Sequence, residues 1–406
     1  MTQPCSNRWG SSRCRFVEAI AVKIEQRILA ELADLESRAQ LRDLEMVRGI
    51  DLGSNDYLGL SIDPRMKQAI REAVDSAPRI ASTGSRLLSG HDNAWTSVEN
   101  DFAQWVGAEA ALYFTSGYAA NMGLLSAILR PDNVVFSDSA NHASLIDGIR
   151  LTKCKRVIFP HLDLNALEAE LRWTHSGARF IVVESIFSMD GERAPLQDLA
   201  TLAARYNAEL IVDEAHATGV CGPAGRGCVA EAGLSGRVFA SVHTCGKALA
   251  AAGAFVCGSE ALRRFLINRA RSFIFNTALP PYFAGQVAAG MRLAASAETE
   301  RRLVADLSIF LRNELQANGF DTAGSDSHLV PVVLGANETA LAFAGQLQAR
   351  GYGIRAIRPP TVPAGTARLR VSLTAKLTQA ILADFVRALI QIRKEVSAAQ
   401  VIPLPQ

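Results

Sequence analysis

Glu209-Leu210-Ile211-Val212-Asp213-Glu214-Ala215-His216 is the stretch on which the reading of this chain turns. Its short apolar run is of the kind that forms an interior parallel strand. Asp213 and His216 follow at the carboxyl end, where open α/β sheets place their ligands. A carboxylate there needs a cationic partner. Downstream, Val238-Phe239-Ala240-Ser241-Val242 reads as another interior strand, with Lys247 just beyond it in Thr244-Cys245-Gly246-Lys247. Taken singly, an Asp at a strand end is commonly a helix cap and a Lys a solvated surface group. Together, at the ends of two neighbouring strands, Asp, His and Lys are what pyridoxal phosphate requires: an amine for its aldehyde and an anion for its ring nitrogen.

Working outward, strands are expected at Ala110 to Phe114, Val134 to Phe136, Arg156 to Phe159 and Phe180 to Val183, each followed by a helix. This alternation predicts a doubly wound, mainly parallel sheet. The strand ending at Phe114 runs through Thr115-Ser116-Gly117-Tyr118 into an apolar helix, a turn that aims free amides and the positive helix end at one spot, as suits a phosphate. Gly222 to Gly227 has the wrong glycine spacing for a dinucleotide fingerprint, which removes the ground for a nicotinamide-dependent reductase.

Past Pro280-Pro281, one long helical region is expected from Tyr282 to Leu315. Short strands (Leu329 to Leu334, Ile354 to Ile357, Leu369 to Leu373) then mix with helices (Thr339 to Arg350, Thr378 to Val396), the style of a smaller α+β domain. At the other end, Ile20, Ile24, Ile28, Leu32 and Leu35 recur at helical spacing and predict an amphipathic arm over about Val17 to Leu44. The expected division is a tail and helical arm (1–55), a large cofactor-binding domain (56–295) and a small C-terminal domain (296–406).

With 49% hydrophobic residues in 406, the chain can bury one large core and a second smaller one. Its net charge of +2 gives no electrostatic reason for a nucleic-acid or membrane partner, so any anionic ligand must be held by local groups. The seven cysteines form no C-x-x-C pair and fit free thiols in a reducing cytosol, with no metal site expected. Cys245 reads as a small packed residue beside the site. The longest apolar runs are too short to span a bilayer, and Met1 to Arg15 lacks an apolar signal core and reads as a flexible tail. A cytoplasmic location is therefore expected.

Six segments in order carry a resemblance: Ser54-Asn55-Asp56-Tyr57-Leu58-Gly59, Ser116-Gly117-Tyr118-Ala119-Ala120-Asn121, Asn141-His142-Ala143-Ser144, Ser185-Ile186-Phe187-Ser188-Met189-Asp190-Gly191, Asp213 to Gly219, and Thr244 to Lys247. From about Ile28 to the C-terminal helix, the chain resembles the α-oxoamine synthases, which are pyridoxal phosphate enzymes of fold type I. The resemblance implies that Lys247 binds the cofactor aldehyde and later removes the substrate α-proton, that Asp213 pairs with the pyridine nitrogen, and that His142 stacks on the ring. It places His216 and Ser188 near the ring oxygen, and Gly117, Tyr118 and Thr244 around the phosphate, with Thr277 reaching across from a second subunit of a homodimer. Arg370, beside Asn55, is implied as the holder of the substrate carboxylate, because a guanidinium grips a carboxylate through two parallel bonds. Arg42 and Thr361 are implied as contacts for the acyl thioester, with His142 also facing the substrate.

The stretch Ile357-Arg358-Pro359-Pro360-Thr361 through Arg370 is similar to the biotin-pathway branch of that family. It implies a decarboxylative condensation of L-alanine with a pimeloyl thioester, carried by coenzyme A or by an acyl carrier protein. Relatives acting like glycine C-acetyltransferase or 5-aminolevulinate synthase, and a non-catalytic homologue, are the alternatives. In one departure, Ala250 stands where the family often has Gly; the extra methyl is tolerable if φ there is negative.

Overall fold

The computed structural model describes the backbone of residues 10–174 and 177–401, and side chains from 23 to 396 within that span. Cys5 and residues 1–9 of the expected N-terminal tail lie outside the described residues, and 10–15 belong to the arm helix. Seven strands form one sheet: β1 (Ala110–Phe114), β2 (Val134–Asp138), β3 (Lys155–Phe159), β4 (Arg179–Glu184), β5 (Ala208–Asp213), β6 (Ala240–Thr244) and β7 (Ala254–Gly258). Their order is β1-β7-β6-β5-β4-β2-β3. Only β7 runs against its neighbours, so the other six end at one edge.

Successive side chains of a strand point to opposite faces, and this sheet buries both. Tyr113, Phe136, Ile181, Val183, Val212 and Phe255 pack one way, against helices carrying Phe102, Leu171, Leu199 and Val287. Their neighbours Leu112, Phe114, Val135, Phe180, Val182 and Ile211 pack the other way, against Leu124, Leu145 and Leu266. Each such fully buried large side chain contributes about 1.5–3 kcal/mol, which is why these strands read as continuous apolar runs.

A third apolar cluster joins Leu307, Leu311, Val330, Phe343, Leu369, Phe385 and Leu389 around a separate three-stranded antiparallel sheet. Leu52, upstream of the large sheet, belongs to this cluster. The adjoining Ile50–Asp51 pairs in parallel with Tyr352–Gly353.

Several boundaries differ from expectation. The region after Pro281 is two helices, Tyr282–Ser296 and Glu298–Ala317, broken at Ala297 with ψ 45°. Buried Arg301 holds the break by donating to Ala294 O and Ala295 O from the second helix. The strand expected at 354–357 is divided: Tyr352–Gly353 pairs with the N-terminal segment and Ala356–Ile357 with Ala367–Ser372. The strand expected from Val238 runs instead over Ala240–Thr244. The arm helix spans Gly10–Ser37, ending before Ala39 turns to φ 52°, and leaves Ile24, Ile28, Leu29 and Leu32 exposed. Ala250 has φ 47°, so the condition of negative φ fails.

Candidate active site

The shared strand edge gathers the site. Asp213, the last residue of β5, is 4% exposed and uses both carboxylate oxygens. Oδ1 accepts the Ala215 amide at 2.8 Å, and Oδ2 accepts Asn121 Nδ2 at 2.6 Å. Asn121 lies on the helix Gly117–Ile128 and also donates to Ser144 Oγ at 2.9 Å. Ser144 Oγ in turn meets His142 Nδ1 at 2.8 Å, and the Ser144 amide donates to the same nitrogen at 3.2 Å. With Nδ1 accepting, the neutral ring carries its proton on Nε2. Partial burial, opposed by Asp213 and aided by Lys247, lowers the His142 pKa and favours that neutral form.

Lys247 follows β6 in a compact loop closed by Cys245 N to Gly253 O at 2.9 Å and Ala250 N to Lys247 O at 3.0 Å. Desolvation lowers its pKa below the ordinary lysine value, while Asp213 and Glu184 oppose the shift. The result is an amine closer to the neutral, nucleophilic state than a surface lysine. Cys245 is fully buried and its thiol is pushed up, as suits a packed and inert residue.

At the other end of the site, Ser116 caps the helix by accepting Ala119 N at 3.1 Å. The Gly117 and Tyr118 amides, in the first helical turn, have no intrahelical acceptor. A Cβ on Gly117 would stand 2.6 Å from Thr244 Cγ2, so only glycine lets the helix end approach β6 this closely.

Between these groups lies a cavity of about 460 Å³ lined by Asn55, Gly117, Tyr118, His142, Asp213, His216, Thr244 and Lys247, among others. Two buried polar atoms of its lining, Asn121 Oδ1 and Glu184 Oε1, have no hydrogen-bond partner among the described residues. The set fits pyridoxal phosphate: an amine, a fixed carboxylate, an imidazole lining the cavity and a helix end suited to an anion, with unsatisfied polar atoms left for a ligand.

The remaining sequence-derived residues divide. His216 lines the cavity and its Nδ1 meets Tyr57 OH at 2.6 Å. Arg370 bridges to it, donating to Asn55 Oδ1 at 2.9 Å and Ser188 O at 2.6 Å. Ser188 is buried beside the lining rather than in it. Arg42 donates to Pro359 O at 3.1 Å and lies 3.5 Å from Thr361 Oγ1, and neither residue lines the cavity. Thr277 bridges to Ser85 and lines a separate small pocket, though neighbouring Asn276 reaches Thr115 Oγ1 at 2.8 Å.

Asn121, Ser144, Glu184 and Tyr57 had no assigned role in the sequence reading. Asn121, Ser144 and Tyr57 sit inside the segments that carried the resemblance. Glu184 had its own signal, a carboxylate closing a buried apolar strand.

A doubly wound sheet with this lysine, carboxylate and imidazole at one strand edge defines a pyridoxal phosphate-dependent enzyme of fold type I. The chain belongs to the aminotransferase class I and II family, whose model matches residues 47–389, and within it to the 8-amino-7-oxononanoate synthases. It is 42% identical to 8-amino-7-oxononanoate synthase of Geobacter sulfurreducens, over 91% of this chain and 98% of that one. It is likewise 42% identical to the Anaeromyxobacter sp. (strain K) protein of that name, over 91% and 96%. Among solved structures, serine palmitoyltransferase of S. paucimobilis with a bound PLP-myriocin aldimine superimposes with TM-score 0.85 at 28% identity, over 91% of this chain and 98% of that one. The 8-amino-7-oxononanoate synthase of Francisella tularensis superimposes with TM-score 0.75 at 28% identity, over 87% and 99%.

Proposed function

We propose that this chain condenses L-alanine with a pimeloyl thioester, releasing carbon dioxide and the free thiol and forming 8-amino-7-oxononanoate for biotin synthesis. The observation that carries the reading is the convergence of Lys247 and Asp213 on one cavity, in a chain whose relatives bear that enzyme's name. Bound pyridoxal phosphate supplies an electron sink for the bonds broken at the amino-acid Cα and at the departing carboxylate.

The chain's own residues do the rest. Lys247 would hold the cofactor aldehyde and, as a depressed-pKa amine, would take the Cα proton. Asp213, kept in place by Asn121 and the Ala215 amide, holds the ring nitrogen. His142 would lie against the ring, and His216, with Ser188 behind the lining, would serve the ring oxygen. The Gly117 and Tyr118 amides, with Thr244, receive the phosphate. Arg370 offers its guanidinium to the substrate carboxylate, and Asn55, already bonded to it, fixes its plane. Arg42 and Thr361, joined near Pro359, would receive the acyl thioester.

Residues 56–295 act as the cofactor-binding domain and 296–406 as the small domain, a division supported by their separate apolar clusters. The chain works as a cytoplasmic homodimer, with Thr277 serving the partner's site; the exposed apolar stripe of the arm supports this. Among the described residues no helix is long and apolar enough to cross a membrane. The donor thiol is coenzyme A or an acyl carrier protein. The test is product identification by mass after incubation with amino-acid and acyl-thioester panels. Alanine with pimeloyl-CoA or pimeloyl-carrier protein is expected to give the product mass; turnover only with glycine or serine and other thioesters overturns the assignment.

A further inference from the structure

Glu184 and Asp213 close adjacent parallel strands and are direct register partners. Both are buried, at 2% and 4% exposure, and both line the cavity. Two neighbouring carboxyls in such a place cannot both be charged without a large cost, so one keeps a proton. Their hydrogen bonds say which. Asp213 has a donor on each oxygen, one of them a side-chain amide at 2.6 Å. Glu184 takes the Ser188 amide at Oε2, 3.2 Å away, while Oε1 has no partner among the described residues. A buried anion leaves no oxygen bare, whereas a protonated carboxyl can keep its O–H for a ligand.

We propose that Glu184 is a neutral, proton-carrying positioning residue, which leaves Asp213 as the single anion facing the cofactor's ring nitrogen; this rests on the cofactor reading above. The charged and titratable groups facing Glu184 are Asp213 from β5, Lys247 from the loop after β6, and His142 from the turn before its helix. Burial first, and then Asp213, raise the Glu184 pKa to about 8 against the opposing pull of Lys247 and of the His142 and Ser188 amides. The proton has a consequence for Lys247. A charged Glu184 stabilises the lysine ammonium; a neutral one leaves the amine free to act as base. The same carboxyl anchors the Ser188 loop through its amide, so it positions that loop without touching the reacting bonds.

The test compares the holoenzyme with Glu184→Gln and Glu184→Asp by infrared difference spectroscopy and by pH titration of the cofactor's visible absorption. In the wild-type minus Glu184→Gln difference, which cancels the equally buried Glu214, a protonated-carboxyl stretch is expected at neutral pH, fading as pH passes about 8. The alkaline inflection of the visible spectrum should shift in Glu184→Gln and, by less, in Glu184→Asp. Absence of the protonated stretch from that difference, or an alkaline inflection unchanged in Glu184→Gln, overturns the proposal. If Glu184→Gln fails to fold, the difference is taken against Glu184→Asp, whose carboxyl stretch should move in frequency and in midpoint. A purified chain that holds no cofactor defeats the functional reading, while the infrared result still decides Glu184.

Discussion

Asn121 donates to Asp213 across 2.6 Å and thereby joins the helix Gly117–Ile128 to the end of β5. Both side chains are buried, and a hydrogen bond to an ionised group in such a place contributes about 1.5–3 kcal/mol. Asn121→Leu leaves Asp213 with one donor. Cofactor affinity is expected to fall by roughly ten- to a hundredfold, read from absorbance titration with pyridoxal phosphate. An unchanged affinity refutes the role given to Asn121.

Lys247→Ala should retain pyridoxal phosphate non-covalently, because Asp213 and the Gly117 helix end are untouched. Borohydride treatment followed by peptide mass analysis is expected to label wild type at Lys247 and leave the variant unlabelled and inactive. Normal turnover in the variant removes the basis of the mechanism.

Tyr57 and His216 form a buried pair at 2.6 Å. Burial raises the phenol pKa and lowers the imidazole pKa well below its usual value, so both are neutral; the Tyr57 hydroxyl donates to Asn55 Oδ1 at 3.1 Å and accepts the proton on His216 Nδ1. Tyr57→Phe strands that nitrogen. Stability should drop by about 1–3 kcal/mol, measured by urea unfolding, and KM for alanine should change more than the fold does. A variant as stable as wild type, with the same KM, contradicts the pairing.

His161 lies between Asp138 Oδ1 at 2.8 Å and Glu192 Oε2 at 2.6 Å. Burial alone would depress the imidazole, but the two carboxylates outweigh it and raise the pKa to about 9. A folded-state value above the unfolded one, about 6.5, stabilises fully below that lower pH and progressively less as pH climbs toward 9. The urea midpoint should therefore fall across this window. In His161→Gln the decline should flatten; an identical slope in both proteins rules the triad out as its source.

Ala250 occupies the left-handed region at φ 47°, where a Cβ costs about 1–2 kcal/mol. Ala250→Gly relieves that strain and adds some unfolded-chain entropy, for a net gain of about 0.5–1 kcal/mol. Thermal unfolding of the cofactor-free and loaded forms measures it. A loss of stability would show that the methyl's packing outweighs the strain.

Much of this was written in the order of residues. Apolar strands buried on both faces, helices between them, and Asp213 and Lys247 beyond two strand ends follow from local patterning, because periodicity and strand-end chemistry are short-range properties. The six family-like segments added roles for His142 and Thr244 that patterning alone does not assign. Boundaries at Ala297 and Ile354 were illegible, since one depends on Arg301 folding back and the other on strands more than 300 residues apart in sequence finding each other.

What only the tertiary structure decided is who stands beside whom. Sheet register makes Glu184 the neighbour of Asp213, and side-chain reach puts Asn121 and Ser144 in line between Asp213 and His142. Local sequence places each residue on its element, but burial and hydrogen bonds between elements, which set charge and tautomer, exist only after the elements pack.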